Sequence, residues 1–223
     1  MAKRKATNTG SYKRQTTTKL RAFEADLYNK DKRMVFAVGL PSTGKTVSAI
    51  ESGLDQLCSG AYEKIVVVRP VLIPSYGFLP GDNYDKMFPY IRQIGIYTSH
   101  CTQFTLEELM SRGQLEIIAV DQLQGNRFQG CFVVADEMQN VHWTETFKIL
   151  SRVGEESKFV IIGDVSRGQQ NKKIKLGDSL LDYCIEKFSD DEAVGIHTFY
   201  EDSDILGDDF SKHLILKLMD DFL

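Results

Sequence analysis

The sequence predicts an α/β fold with a mostly parallel sheet flanked by helices, and three observations predict it. Short apolar, often β-branched runs alternate with amphipathic stretches through most of the chain. Several of those runs are apolar throughout, with no polar alternation, as strands buried on both faces are. The first of them leads directly into a glycine-bounded loop and then an amphipathic stretch, the order of a βα unit.

The chain opens on a basic segment. Residues 1–21 carry Lys3, Arg4, Lys5, Lys13, Arg14, Lys19 and Arg21 and no acid, leaving 20 basic against 31 acidic residues, a net of −11, over the remainder. Residues 1–19, Thr-rich and weakly apolar, are expected to form a flexible solvated arm. The sharper reading is a grip on nucleic-acid phosphates or on an acidic neighbouring subunit. Residues 20–223 are expected to be one domain, since no stretch of them has linker composition.

Leu20, Phe23 and Leu27 share a helical face, which predicts a helix over Leu20–Tyr28. Met34–Val38 predicts the first strand, and Val47, Ile50, Leu54 and Leu57 predict the helix after its loop. Ile65–Val68 is a β-branched strand ending at Arg69-Pro70. Residues 71–90 hold Pro74, Pro80 and Pro89 and are expected to be a long loop. Helical patterning returns at Ile91–Ile96 and Leu106–Met110, then strands are expected at Glu116–Val120 and Cys131–Ala135. A helix over Thr144–Arg152, a strand at Phe159–Ile162 and a helix over Ser179–Phe188 follow. A strand at Ile196–Tyr200 and a helix over Asp209–Phe222 complete the alternation.

At 223 residues and 42% hydrophobic, the chain can bury a core of its own. Cys58, Cys101, Cys131 and Cys184 are scattered without C-x-x-C spacing, and His100, His142, His197 and His213 show no metal or triad spacing. No apolar run approaches the ~20 residues of a membrane span, and no apolar segment follows the basic start as in a secretory signal. The expected setting is a reducing cytoplasm with no membrane partner.

Chemistry concentrates where the predicted strands end. Gly39-Leu40-Pro41-Ser42-Thr43-Gly44-Lys45-Thr46 fits G-x-x-x-x-G-K-[ST], the phosphate-binding loop or Walker A motif. Backbone N–H groups of such a loop, with the positive helix end behind them, form a nest for phosphate oxygens, here continued by Val47. Lys45 is expected to reach the β- and γ-phosphates, and Thr46 to give a hydroxyl to Mg²⁺. Arg69, Asp136-Glu137 and Gly163-Asp164 each follow another predicted strand, so four strands place polar groups on one sheet edge. Asp136 is suited to hold Mg²⁺ through its water shell, and Glu137 to polarise an attacking water. That pairing points to hydrolysis rather than phosphoryl transfer to a second substrate. Trp143 and Tyr90 offer faces for base stacking, although packing explains them as well.

With these segments in view, the sequence resembles the PhoH-like family of P-loop ATPases. The resemblance runs through Val68-Arg69-Pro70-Val71, Gly77-Phe78-Leu79-Pro80-Gly81-Asp82, Pro89-Tyr90 with Arg92, and Gly113–Ile117. It continues through Asp136-Glu137-Met138-Gln139-Asn140, Ser151-Arg152-Val153-Gly154 and Gly163-Asp164. It implies a RecA-like core, ATP and Mg²⁺ as ligands, ATPase activity and, in some members, RNA-directed helicase or nuclease-coupled work. It also implies that Gln139 senses the γ-phosphate and that Asp164 senses it or orients water. Arg167 stands where the family usually has Gln, and Gln124-Gly125-Asn126-Arg127 stands where it has Arg-Gly-Arg. A helicase of this lineage closes its site with a second lobe, so one lobe implies a neighbouring subunit that supplies a cation. Arg152, then Arg127 and Arg167, are the candidate donors, in a homo-oligomeric ring such as a hexamer. The expected work is remodelling or unwinding of single-stranded nucleic acid, RNA ahead of DNA. The alternative is a nucleotide-gated binding protein with slow turnover. The compact form resembles the stand-alone version found in phages, which implies a host cytoplasm.

Overall fold

Six apolar segments pair as one parallel sheet, in the order β3-β2-β4-β5-β1-β6. The strands are β1 (Met34–Gly39), β2 (Lys64–Arg69), β3 (Leu115–Ala119), β4 (Cys131–Ala135), β5 (Lys158–Gly163) and β6 (Val194–Phe199). The computed structural model describes residues 15–71, 83–123, 125, 127–166 and 174–222, with side chains 83–89 and 219–222 excepted. The Gly77–Asp82 segment, residues 1–14 of the basic arm, Gln124, Asn126, Arg167, Gln169 and Gln170 lie outside the described residues. No described helix is long and apolar enough to cross a membrane.

Strand periodicity divides the core in two. Val35 and Ala37 of β1, with Ile65, Val67, Phe132, Val134, Val160 and Ile162, face one helical layer. That layer is α1 (Thr18–Tyr28), α2 (Lys45–Cys58), α3 (Asn83–Cys101) and α4 (Leu106–Ser111). The alternate residues Phe36, Val38, Val66, Val133, Phe159 and Ile161 face α5 (Thr146–Leu150) and α6 (Leu180–Phe188). Strands β4 and β5 are buried along their whole length, while the edge strands β3 and β6 are only partly covered. This is why the central runs carry no polar alternation. The C-terminal helix α7 (Asp209–Phe222) ends the chain as expected.

Two expectations need correction. Residues 83–90 are helical, because α3 begins at Asn83 and contains Pro89. Proline removes one helical N–H, but the buried Tyr90, Ile91 and Ile94 anchor the segment on the sheet and its packing overrides the local cost. The predicted helix over Thr144–Arg152 is a 3-10 turn, Trp143–Glu145, followed by a short α5 that stops at Leu150. The chain must turn there: a Cβ on Gly154 would lie 2.0 Å from the Phe128 carbonyl oxygen.

Local chemistry fixes the ends of α1. Thr17 caps its start by accepting from the Leu20 N–H at 3.1 Å. At its other end the ammonium of Lys158, 1% exposed, donates to the carbonyls of Asp26, Leu27 and Asn29 at 2.6, 2.7 and 2.8 Å. A buried cation from the first residue of β5 thus satisfies the orphan carbonyls of a helix C-terminus.

Replacing Lys158 with Met takes its donor from the Asp26 carbonyl, while the Leu27 and Asn29 carbonyls keep the Gln56 side chain and the Lys32 N–H at 3.2 Å each. Urea unfolding should show a loss of roughly 1–3 kcal/mol, the cost of one unsatisfied buried acceptor. Gly39→Ala should cost about 3 kcal/mol in the same assay, from overpacking at positive φ. Its φ is +147°, and the added Cβ would lie 2.2 Å from the Phe199 carbonyl oxygen of β6. A variant as stable as the parent in either case would show that the backbone can yield.

Candidate active site

The loop between β1 and α2 is shaped by three residues at positive φ, Gly39 (147°), Ser42 (59°) and Gly44 (84°). Gly39 lets the chain pass against β6, where the Leu40 N–H donates to the Phe199 carbonyl at 2.9 Å. Gly44 takes the left-handed conformation at the N-cap of α2. The loop therefore presents the start of a 14-residue helix to the space above the sheet edge.

Lys45 fills that loop. Its side chain is 7% exposed and donates to the carbonyls of Gly39 and Leu40 at 2.9 and 2.5 Å and to Thr43 Oγ1 at 2.8 Å. Burial pushes its pKa down to about 8, against the pull of Asp164, Asp136 and Glu137.

The carboxylates come from the neighbouring strand ends. Asp136 follows β4 and is held by its N–H to the Val68 carbonyl of β2 at 2.9 Å. Its Oδ1 accepts from Thr46 Oγ1 at 3.2 Å and its Oδ2 from the Tyr90 hydroxyl at 3.2 Å. Burial raises the Asp136 pKa, opposed chiefly by the nearby Arg69 guanidinium. Glu137 sits in the left-handed region at φ 60° and ψ 32°. For a non-glycine residue this conformation costs on the order of 1 kcal/mol and clusters at functional sites. Its Oε1 pairs with Arg69 at 3.2 Å, and its Oε2 accepts from Gln139 Nε2 at 2.8 Å. Gln139 in turn accepts from the Asp164 N–H at 3.2 Å. A Cβ on Gly163 would meet Gln139 Oε1 at 2.3 Å, so glycine is required beside that amide. Asp164 lies past the end of β5, with Oδ1 accepting from the Ser166 N–H at 3.0 Å and its pKa raised by burial. Its Oδ2 is buried with no hydrogen-bond partner among the described residues.

These groups line one cleft of about 350 Å³. Of the residues singled out in the sequence, Gly39, Pro41, Ser42, Thr43, Gly44, Lys45, Thr46, Val47, Asp136, Glu137, Gln139 and Asp164 border it. Leu40 does not. Its side chain is buried and its N–H is committed to Phe199, so it serves the loop from behind. Arg152 also lies outside the lining, half-buried beyond α5, with Nε donating to the Lys148 carbonyl at 3.1 Å. Tyr90 is buried under the Arg69 guanidinium, 4.1 Å from its ring centroid, and is not open to a base. Gln93 and Tyr97 of α3, bonded to each other at 2.7 Å, form a wall that sequence reasoning missed. Their i, i+4 spacing on a helix was the available signal.

The donor set fits a metal–triphosphate. A hydroxyl and a carboxylate stand adjacent at Thr46 and Asp136, which suits Mg²⁺ shared with phosphate oxygens. The unpartnered Asp164 oxygen faces the same need for a donor or cation.

Beyond the cleft, residues 201–207 tie the loop to the start of α1. The Leu206 N–H donates to the Ser42 carbonyl at 2.8 Å, and the Gly207 N–H to Gln15 Oε1 at 2.8 Å. Lys19 pairs with Glu201 and Asp204 at 2.8 and 3.1 Å.

Comparison with known proteins identifies the family of the chain. The family profile described as "PhoH-like protein" matches residues 14–218. The chain is similar to the "PhoH-like protein" of Bacillus subtilis (strain 168), 35% identical over 152 residues covering 66% of this chain and 47% of that protein. It is also similar to "Protein PhoH" of Escherichia coli (strain K12), 29% identical over 201 residues covering 83% of this chain and 54% of that one. It thus spans about half the length of these relatives. Among solved structures, an ATPase domain is similar at 14% identity and a TM-score of 0.40, covering 78% of this chain and 71% of that one. The phosphate loop, the acidic pair and the match over nearly the whole chain lead to one assignment: this protein belongs to the PhoH-like family.

Proposed function

We propose that the chain binds ATP with Mg²⁺ and hydrolyses it. The observation that carries this reading is the single cleft in which the phosphate loop, the Thr46–Asp136 pair, Glu137, Gln139 and Asp164 converge. Thr46 and Asp136 would hold Mg²⁺, which supplies charge neutralisation on the transferring phosphoryl group. Lys45 leaves its loop carbonyls for phosphate oxygens, which are stronger acceptors. Glu137 takes the proton of an attacking water, and Gln139 and Asp164 orient the groups around it. Charge developing on the γ-phosphate calls for one more cation. Arg152 of a neighbouring subunit is assigned that part, in a closed head-to-tail ring such as a hexamer.

The work coupled to hydrolysis is remodelling or unwinding of single-stranded nucleic acid, RNA ahead of DNA. A second reading has its own support: Glu137 is engaged at both oxygens and Lys45 is folded into the loop. A site resting in that state suits a nucleotide-gated binding protein with slow turnover. ATPase rate with and without single-stranded RNA separates the two, since strong stimulation favours the motor and indifference the gate.

Phosphate-release assays should show Lys45→Ala and Glu137→Gln each reducing kcat at least ~100-fold, with Glu137→Gln still binding ATP. Loss of ATP binding in the Glu137 variant would remove its water-activating role. In subunit mixing, Arg152→Ala protomers combined with Lys45→Ala protomers should recover activity at mixed sites. No recovery would exclude Arg152 as the trans donor.

Affinity for ATP should also depend on pH through Lys45. Its pKa in the free protein is about 8, and phosphate binds the ammonium form. Affinity is therefore flat below that value and falls as pH rises above it, by up to about tenfold per unit. Calorimetric titration between pH 7 and pH 9.5, with free Mg²⁺ held constant, would reveal the break; an affinity unchanged across that range would contradict it.

A further inference from the structure

The two oxygens of Glu137 are both engaged, and the partner that matters more is Arg69. Strands β2 and β4 pair with Val68 opposite Ala135, so the residues that follow each strand necessarily emerge side by side. Arg69 is the last residue of β2, and its guanidinium meets Glu137 Oε1 at 3.2 Å. It is not a loose surface cation. The plane lies over the buried Tyr90 ring at 4.1 Å, and the Tyr90 hydroxyl donates to Asp136 Oδ2 at 3.2 Å. Thr46 occupies the other Asp136 oxygen. Arg69 is thus braced by an aromatic wall that is itself pinned to the carboxylate beside the phosphate loop.

We propose that Arg69 is a positioning residue that holds the Glu137 carboxylate in a resting orientation until a triphosphate occupies the loop, and that the protein thereby discriminates ATP from ADP. The inference rests on the ATPase reading above. A general base needs an oxygen free and aimed at its water. Here Oε1 faces Arg69 and Oε2 accepts from Gln139, while the backbone of Glu137 is held in the left-handed region. Gln139 spans from Glu137 to the Asp164 N–H, so it connects the base to the next strand end. The Gln139 side chain donates only through its amide nitrogen, and Arg69 is the adjacent fork of donors. To face a water beside a terminal phosphate, Glu137 has to leave Arg69 and Gln139. A diphosphate ends one group short and leaves the contacts in place. The cost of releasing those contacts therefore falls on ATP binding and not on ADP binding.

The test compares calorimetric affinities for Mg·ATP and Mg·ADP in the parent protein, Arg69→Lys, Arg69→Gln, Glu137→Gln and the double variant Arg69→Lys/Glu137→Gln. Lysine keeps a positive charge near Asp136 while losing the planar fork and its stack on Tyr90. Arg69→Lys and Glu137→Gln should each raise ATP affinity relative to ADP by about threefold to tenfold, the range expected for a part-buried charged contact, and Arg69→Gln should gain less because it also removes a positive charge. The double variant should add nothing further, because both changes remove the same contact. ADP affinity should stay at the parent value throughout. An unchanged ATP-to-ADP ratio, an equal loss of both affinities, or additive effects in the double variant would each overturn the proposal. A parent protein that binds neither nucleotide overturns the ATPase reading, and this one with it.

Discussion

A lysine ammonium taken out of water sets the terms for this site. Lys45 is 7% exposed, and a buried cation persists only where oxygen atoms surround it. The loop supplies them by turning its own carbonyls inward, which it can do because Gly39 and Gly44 adopt positive φ. The sheet order supplies the rest. With β5 between β1 and β4, the acids that follow β4 and β5 stand beside the lysine that follows β1. Positive and negative groups are buried as one cluster, so no member bears its desolvation alone.

Much of this was legible in the sequence because the informative residues are contiguous. The strand-loop-helix around residues 34–58 and the run ending in Asp136-Glu137 carry their context with them, and all six strands sit within a few residues of where their apolar runs place them. The first half of α3 was not legible. Pro89 speaks for a break, and only the packing of Tyr90, Ile91 and Ile94 against the sheet reverses that local preference. Gln93 and Tyr97 were lost with it, since a helix face cannot be read across a segment taken for a loop. Leu40 sits inside the motif yet is turned to the core, because the motif records chain order and says nothing of which N–H pairs with β6. Tyr90 shows the same limit from the other side: an aromatic that suggests a base platform is a buried prop for Arg69.

The cleft also holds demands that folding alone leaves unmet. Glu137 is kept in a conformation that L side chains rarely adopt, and Asp164 has a buried oxygen without a donor among the described residues. Lys45 spends its donors on carbonyls, which are weaker acceptors than phosphate. At the end of α1 the structure meets a comparable demand within the chain, through Lys158. The contrast separates a residue buried to complete the fold from residues buried to await a ligand.

The bridge from Ser42 through Leu206 to Gln15 and Lys19 has a mechanical corollary. Whatever stiffens the loop also stiffens the first turn of α1, and a restraint on that turn acts on the loop in return. Such reciprocity follows from shared hydrogen bonds and needs no large displacement. Gln15 and Lys19 are therefore wired to the phosphate cradle through side-by-side links, despite lying some distance from it along the chain.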